Sequence, residues 1–169
     1  SREVQFKLNT YEFYIDNDFY KRSESPYYKD TLDLKIKRLT SGQHMLRLRA
    51  FDALDAGLYS SWVEQIFNIS DKPIITKQSV HNDGIDNPIV NVDSYSESTS
   101  NIVSLHADVL GTNVTGDKTL TSSGNEISDG VSVDLNGLKI ENYTISVSAE
   151  NENNVTSDAA LTNATPFDD

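Results

Sequence analysis

The stretch Leu138-Lys139-Ile140-Glu141-Asn142-Tyr143-Thr144-Ile145-Ser146-Val147-Ser148-Ala149-Glu150-Asn151 decides the fold. From Tyr143 onward, ring and aliphatic side chains alternate with Thr, Ser and Glu. A period of two sends one set of side chains to a dry face and the other to water, the pattern of a half-buried β-strand. The same order of residue types stands 99 positions earlier, where His44, Leu46, Leu48, Ala50 and Asp52 match Tyr143, Ile145, Val147, Ala149 and Asn151. Without a gap the match extends back through Leu39 with Leu138, Ile36 with Leu135, Leu34 with Val133 and Leu32 with Val131. An ungapped series that keeps strand, turn and strand in step reads as a duplicated β-module.

Alternation recurs in Val4, Phe6 and Leu8 and in Val103, Leu105, Ala107 and Val109, and Tyr11 to Ile15 forms a further apolar run. Clusters of Ser, Thr, Asn, Asp and Gly, such as 111–116 and 122–130, separate such runs and read as turns. No segment carries a capped helical stripe. The chain is therefore expected to be all-β with antiparallel strands. In its second half the strands are expected at Pro73–Gln78 or Ile89–Val92, then at Asn101–Leu110, near Leu120, and at Val131–Leu135, Tyr143–Ala149 and Ala159–Ala164.

The segments Leu138–Asn151 and Leu39–Asp52 resemble the corner and following strand of fibronectin type III and bacterial immunoglobulin-like domains of prokaryotic surface proteins. In that family a leucine anchors the corner, an aromatic residue or histidine opens the strand, and Asp or Asn begins the next turn. Here Leu138, Tyr143 and Asn151, and Leu39, His44 and Asp52, match that order, although the leucine precedes the ring by five positions and the usual proline is missing. The corner side chain buries a ring while its polar tip reaches a nearby backbone group. The resemblance implies two immunoglobulin-like (fibronectin type III-like) β-sandwiches in tandem. They are expected over 1–70 and 71–169, joined at Ser70-Asp71-Lys72-Pro73, where proline cannot continue a ladder. The first offers too few strands for a sandwich and is expected to lack its N-terminal strands. With no methionine at Ser1, the chain is expected to be a segment of a longer one.

The two halves differ in charge. Of 169 residues with a net charge of −12, the first 70 hold ten basic and ten acidic side chains, and the remainder hold four lysines and sixteen carboxylates. Twelve of the fifteen aromatic residues precede position 70. A chain with a pI near 4.5 is not expected to bind nucleic acid. No apolar run is long enough to suggest a membrane-spanning helix.

Chemistry-bearing constellations are sparse. The absence of cysteine excludes thiol catalysis and disulfides. His44 shares the inward parity of Leu46 and Leu48 and reads as a packed histidine holding one backbone hydrogen bond. His106 points outward, His81 lies in a polar loop, and no Gly-x-Ser-x-Gly elbow occurs; the chain is expected not to be an enzyme. Calcium is the small ligand that short carboxylates in loops best suit. Asp71, Asp83 and Asp86 are its candidate ligands, and Asp16, Asn17 and Asp18 with Asp30 form a second group. Phe19, Tyr20, Tyr27 and Tyr28 are the candidate ligand- or partner-binding residues, since exposed rings stack on sugars or anchor proteins. Trp62 reads as a core or sheet-flank residue. Five Asn-x-Ser/Thr sequons, at Asn68, Asn113, Asn142, Asn154 and Asn163, are candidate glycosylation sites.

These features lead to the expectation of a non-catalytic structural or adhesive segment of an extracellular or cell-surface protein, such as a surface layer, stalk or adhesin. Its partners would be other domains of a longer chain, neighbouring subunits or a glycan. The alternatives are a carbohydrate-binding or spacer module of a secreted polysaccharide-degrading enzyme, and a phage tail or fibre module.

Overall fold

The computed structural model describes residues 9–23, 38–52, 58–81 and 87–166. The strands expected at Val4–Leu8 and Leu32–Ile36 lie outside them, as do Tyr27, Tyr28, Asp30, Asp83 and Asp86. The described residues form β-strands and turns without helix, arranged in three antiparallel sheets. No helix among them is long and apolar enough to cross a membrane. The chain divides into two compact units, one of residues 1–37 and 42–69 and the other of residues 38–41 and 70–169.

The first unit contains β1 (Asn9–Ile15), β2 (Asp18–Arg22), β3 (Gly42–Asp52) and β4 (Val63–Ile69), hydrogen-bonded in the order β2-β1-β3-β4. Asp16 and Asn17 close the β1–β2 hairpin with φ of 51° and 69°. Such left-handed two-residue turns follow the twist of the strands they join, and Asp and Asn tolerate them better than other non-glycine residues. Along β1 and β3, Phe13 pairs with Leu48 and Ile15 with Leu46 on one face, while Glu12 pairs with Arg49 and Tyr14 with Arg47 on the other. Phe13, Ile15 and His44 are buried on the first of these faces.

The second unit contains β5 (Ile74–His81), β6 (Ile89–Tyr95), β7 (Ile102–Val109), β8 (Thr115–Gly124), β9 (Glu126–Ser132), β10 (Tyr143–Asn151) and β11 (Ala160–Ala164). They form a three-stranded sheet, β5-β6-β9, and a four-stranded sheet, β11-β10-β7-β8. Val90 and Val92 of β6 and Ile127 and Val131 of β9 join Leu105, Ala107, Val109, Ile145, Val147 and Ala149 of the other sheet in one buried cluster. Each of these strands buries alternate residues, so the unit is sandwich-like, with its core between two sheets.

Both candidates for the second unit's first strand are strands, paired with each other from Ile74↔Tyr95 to His81↔Ile89. The strand expected at Val131–Leu135 lies earlier, at Glu126–Ser132. Val133 and Leu135 stay buried, but the ladder stops where its partner begins, at Ile89↔Ser132. Pro88 precedes Ile89 and has no N–H to extend the ladder; its carbonyl accepts the Val133 N–H instead.

The two four-stranded sheets run through the chain in the same order. In each, the first strand lies between its hairpin partner and the strand that returns after a longer excursion, and the last strand flanks the returning one. The segments matched at a 99-residue spacing, β3 and β10, both occupy the returning position.

Candidate functional site

The outward face of the first unit's sheet carries an interlocked set of arginines and rings. Period two along β3 presents Arg47, Arg49 and Phe51 on one side, and the register with β1 sets Tyr14 and Glu12 beside them. The Arg49 guanidinium lies 3.8 Å from the Tyr59 ring centroid and 4.5 Å from that of Trp62. Arg47 lies 4.4 Å from Trp62, and Arg22 4.7 Å from Phe51. Tyr14 meets both Phe19 and Trp62 edge-on, with centroids 5.6 and 5.2 Å apart. Each guanidinium over a ring contributes about 0.5–1 kcal/mol at the surface and more where water is excluded.

Glu12 ties the set together. Only 4% exposed, it accepts a hydrogen bond from Arg22 Nη2 at 2.8 Å and another from Arg49 Nε at 3.0 Å. Burial pushes its carboxyl up, but the hydrogen bonds from Arg49 and Arg22 outweigh that and hold it below the usual glutamate range. A buried carboxylate is tolerated when both oxygens are engaged by cations in this way. Arg47 Nη1 donates to Asn17 Oδ1 at 3.0 Å. Its Nε stands 3.0 Å from Glu64 Oε1 without an aligned hydrogen bond. Phe19 (56%), Tyr59 (47%) and Ile66 (54%) remain exposed around these charges. Tryptophan, tyrosine and arginine are the residue types over-represented at binding hot spots.

Of the proposed binding residues, Phe19 lies on this face, and Tyr20 is half-buried. Trp62 is half-buried against the sheet and not in the core, at the centre of the stack. The sequence held one signal of the site, the alternation of Arg47 and Arg49 with Leu46, Leu48 and Ala50. The β1–β2 register brings Arg22 to them, and the segment leading into β4 brings Tyr59 and Trp62.

Asp71, the described member of the expected calcium group, has its carboxylate engaged by side chains of its own unit. Its Oδ1 accepts from Ser98 Oγ at 2.8 Å and Ser100 Oγ at 2.6 Å, and its Oδ2 from Asn153 Nδ2 at 3.1 Å. Its carbonyl accepts from Asn151 Nδ2 at 2.8 Å. The hydrogen bond from Ser100 leads in holding its carboxyl below the usual aspartate range, against the opposing effect of burial. Ser94, Ser96, Ser98 and Ser100 are all buried at a period of two, and Asn151 is fully buried. The Arg38–Ser41 segment joins this polar end: Arg38 donates to the Ser96 carbonyl, and Thr99 N donates to Leu39 O at 3.0 Å. Among the described residues no cluster of three His, Asp or Glu is placed to hold a metal ion.

Asp16 is likewise engaged. Its Oδ2 lies 2.5 Å from His44 Nδ1 and its Oδ1 accepts from Met45 N at 2.9 Å. The His44 contact is the larger cause of its lowered pKa. His44 is buried, as its parity implied, with an aspartate as partner. His81 ends β5 at an exposed position.

His106 lies on the outward face of the second unit's four-stranded sheet. Its Nδ1 is 2.6 Å from Asp117 Oδ1 and its Nε2 is 3.0 Å from Asp108 Oδ1. Asp117 leads in raising its pKa, burial opposes, and Asp108 adds to the rise. The two carboxylates face opposite ring nitrogens, an arrangement that suits an imidazolium bridge. Two clefts of about 460 and 370 Å3 also open on this unit. Asp93, Tyr95 and Glu126 line the first, and the Lys72–Asp158 ion pair lines the second. All five sequon asparagines, Asn68, Asn113, Asn142, Asn154 and Asn163, are exposed.

The chain matches no protein-family model and no curated protein.

Proposed function

We propose that the chain is a non-catalytic structural and adhesive segment of an extracellular or cell-surface protein, and that the arginine–aromatic face of its first unit is the contact surface. The observation that carries this reading is the stack of Arg22, Arg47 and Arg49 on Phe51, Tyr59 and Trp62, bordered by exposed Phe19 and Ile66. It combines pre-ordered charge with apolar area. Such a surface gives up little side-chain freedom on binding, because its long side chains are already held.

Kinship with fibronectin type III domains is part of the proposal. In support, Tyr143 opens β10 and donates from its hydroxyl to Lys139 O at 3.0 Å, four residues upstream. That is the bond by which a corner tyrosine pins the loop before such a strand. Taken as strands one to seven, β5 to β11 divide into first-second-fifth and third-fourth-sixth-seventh. This is the immunoglobulin-type division with the fourth strand on the other sheet. The shared order of the two four-stranded sheets supports tandem copies.

A sugar platform needs an open ring face, and here guanidinium groups already stack on Phe51, Tyr59 and Trp62. A protein contact is therefore favoured over a carbohydrate one. Antibody labelling of intact, unpermeabilised source cells tests the location. Surface labelling that is lost on brief protease treatment is expected, and labelling only after permeabilisation contradicts the proposal.

A further inference from the structure

The registers of the two four-stranded sheets place opposite charges at equivalent positions. Glu12 of β1 faces Arg49 of β3 and Arg22 of β2. The equivalent position of β7 is His106, which faces Ser148 of β10 and Asp117 of β8. Ser148 also follows Arg49 by the 99-residue spacing of the sequence match. One sheet thus centres a carboxylate between two arginines, and the other centres an imidazole between the carboxylates of Asp117 and Asp108. Around these centres the first face exposes Phe19 and Ile66. The second exposes Leu161, which pairs with outward Ser146, and carries Glu150.

We infer that the arginine–aromatic sheet face of one copy docks on the Asp108–Asp117–Glu150 sheet face of a second copy, joining copies head to tail. This rests on the contact-surface reading given above. Charge complementarity selects the occupant. The second face repels its own kind, in a half of the chain that carries the whole net charge of −12, whereas the first offers three arginines against Glu12 and Glu64. Both faces are four strands wide, and twisted sheets pack face to face at a small angle. Four strands at about 4.8 Å spacing cover roughly 400–500 Å2 per partner. That is below the usual size of a stable interface, so single contacts are weak and an array of them is cooperative. The two surfaces are different, so the contact propagates from copy to copy. At about 0.15 M salt, charges more than about 8 Å apart are screened, which mutes overall repulsion while leaving facing charges effective.

The test is sedimentation of the full chain at about 0.15 M salt up to about 1 mM. Wild type is expected to self-associate progressively. Arg22→Glu, on the first face, and Asp117→Arg, on the second, are each expected to weaken association at least tenfold. An equimolar mixture of the two variants keeps one intact face of each kind and is expected to restore association. Phe19→Ser provides a first-face variant without charge change, and melting curves show which variants are folded. A wild-type chain that stays monomeric at about 1 mM overturns the inference, and the location test above then stands separately. Association lost in Arg22→Glu and Phe19→Ser but unaffected by Asp117→Arg also overturns it, since the face would then engage another surface.

Discussion

At Asp71, one carboxylate gathers Ser98, Ser100 and Asn153, donors from separate parts of the second unit. Hydrogen bonds to a charged acceptor contribute about 1.5–3 kcal/mol when the partners are withdrawn from water. Asp71→Ala removes the acceptor shared by two hydroxyls and an amide and is expected to cost about 2 kcal/mol in urea unfolding, with Asp71→Asn costing less. The pH dependence has two signs. Glu12, Asp16 and Asp71 have carboxyl pKa values below their ordinary ones. Their contribution is therefore complete above the unfolded values of about 4 and is lost as pH falls through the folded ones. His106 is raised, so its contribution is complete below about 6.5 and is lost as pH rises through its folded value. Melting temperature against pH is expected to decline on both sides, and His106→Gln to flatten the alkaline decline alone.

Elements built on simple alternation were legible in the sequence. In β10, Tyr143, Ile145, Val147 and Ala149 are buried as the pattern requires. The end of β9 was not legible, because Val133 and Leu135 keep the alternation after their ladder partner has stopped at Ile89. The serines at 94, 96, 98 and 100 carry no apolar alternation, yet they are buried at a period of two, with Ser94 bonded to the Ile74 carbonyl, Ser96 to Ser98, and Ser98 and Ser100 to Asp71. The arginine–aromatic face is a product of register, which no local pattern specifies. Two substitutions probe these elements. Tyr143→Phe removes the hydroxyl bond to Lys139 O and is expected to cost about 1 kcal/mol in denaturant unfolding. Gly116→Ala would set a Cβ 2.1 Å from Ser132 O; the backbone must move, and a lower melting temperature for the second unit is expected.

Across the whole molecule, composition and architecture divide together. The neutral, aromatic-rich part holds the arginine–ring face, and the acidic part holds the sandwich-like core and the serine–Asp71 network. Trp62→Ala removes two guanidinium stacks and the edge contact with Tyr14. It is expected to lower the melting transition of the first unit while leaving that of the second unchanged, as read by calorimetry. Asn68 is exposed on the outward face, opposite Gln43 and two residues from Ile66, so a glycan there would cover the contact surface. Glycosylation of Asn68 and use of that face are mutually exclusive. The central claim, that the arginine–aromatic face of one copy docks on the acidic sheet face of another, is tested most directly by amide NMR spectra of the wild-type chain over a dilution series at about 0.15 M salt. The account predicts concentration-dependent shifts at Phe19, Arg22, Arg49 and Ile66 in the first unit, and at His106, Asp117 and Ser148 in the second. Shifts confined to other surfaces, or spectra unchanged from micromolar to millimolar concentration, would contradict it.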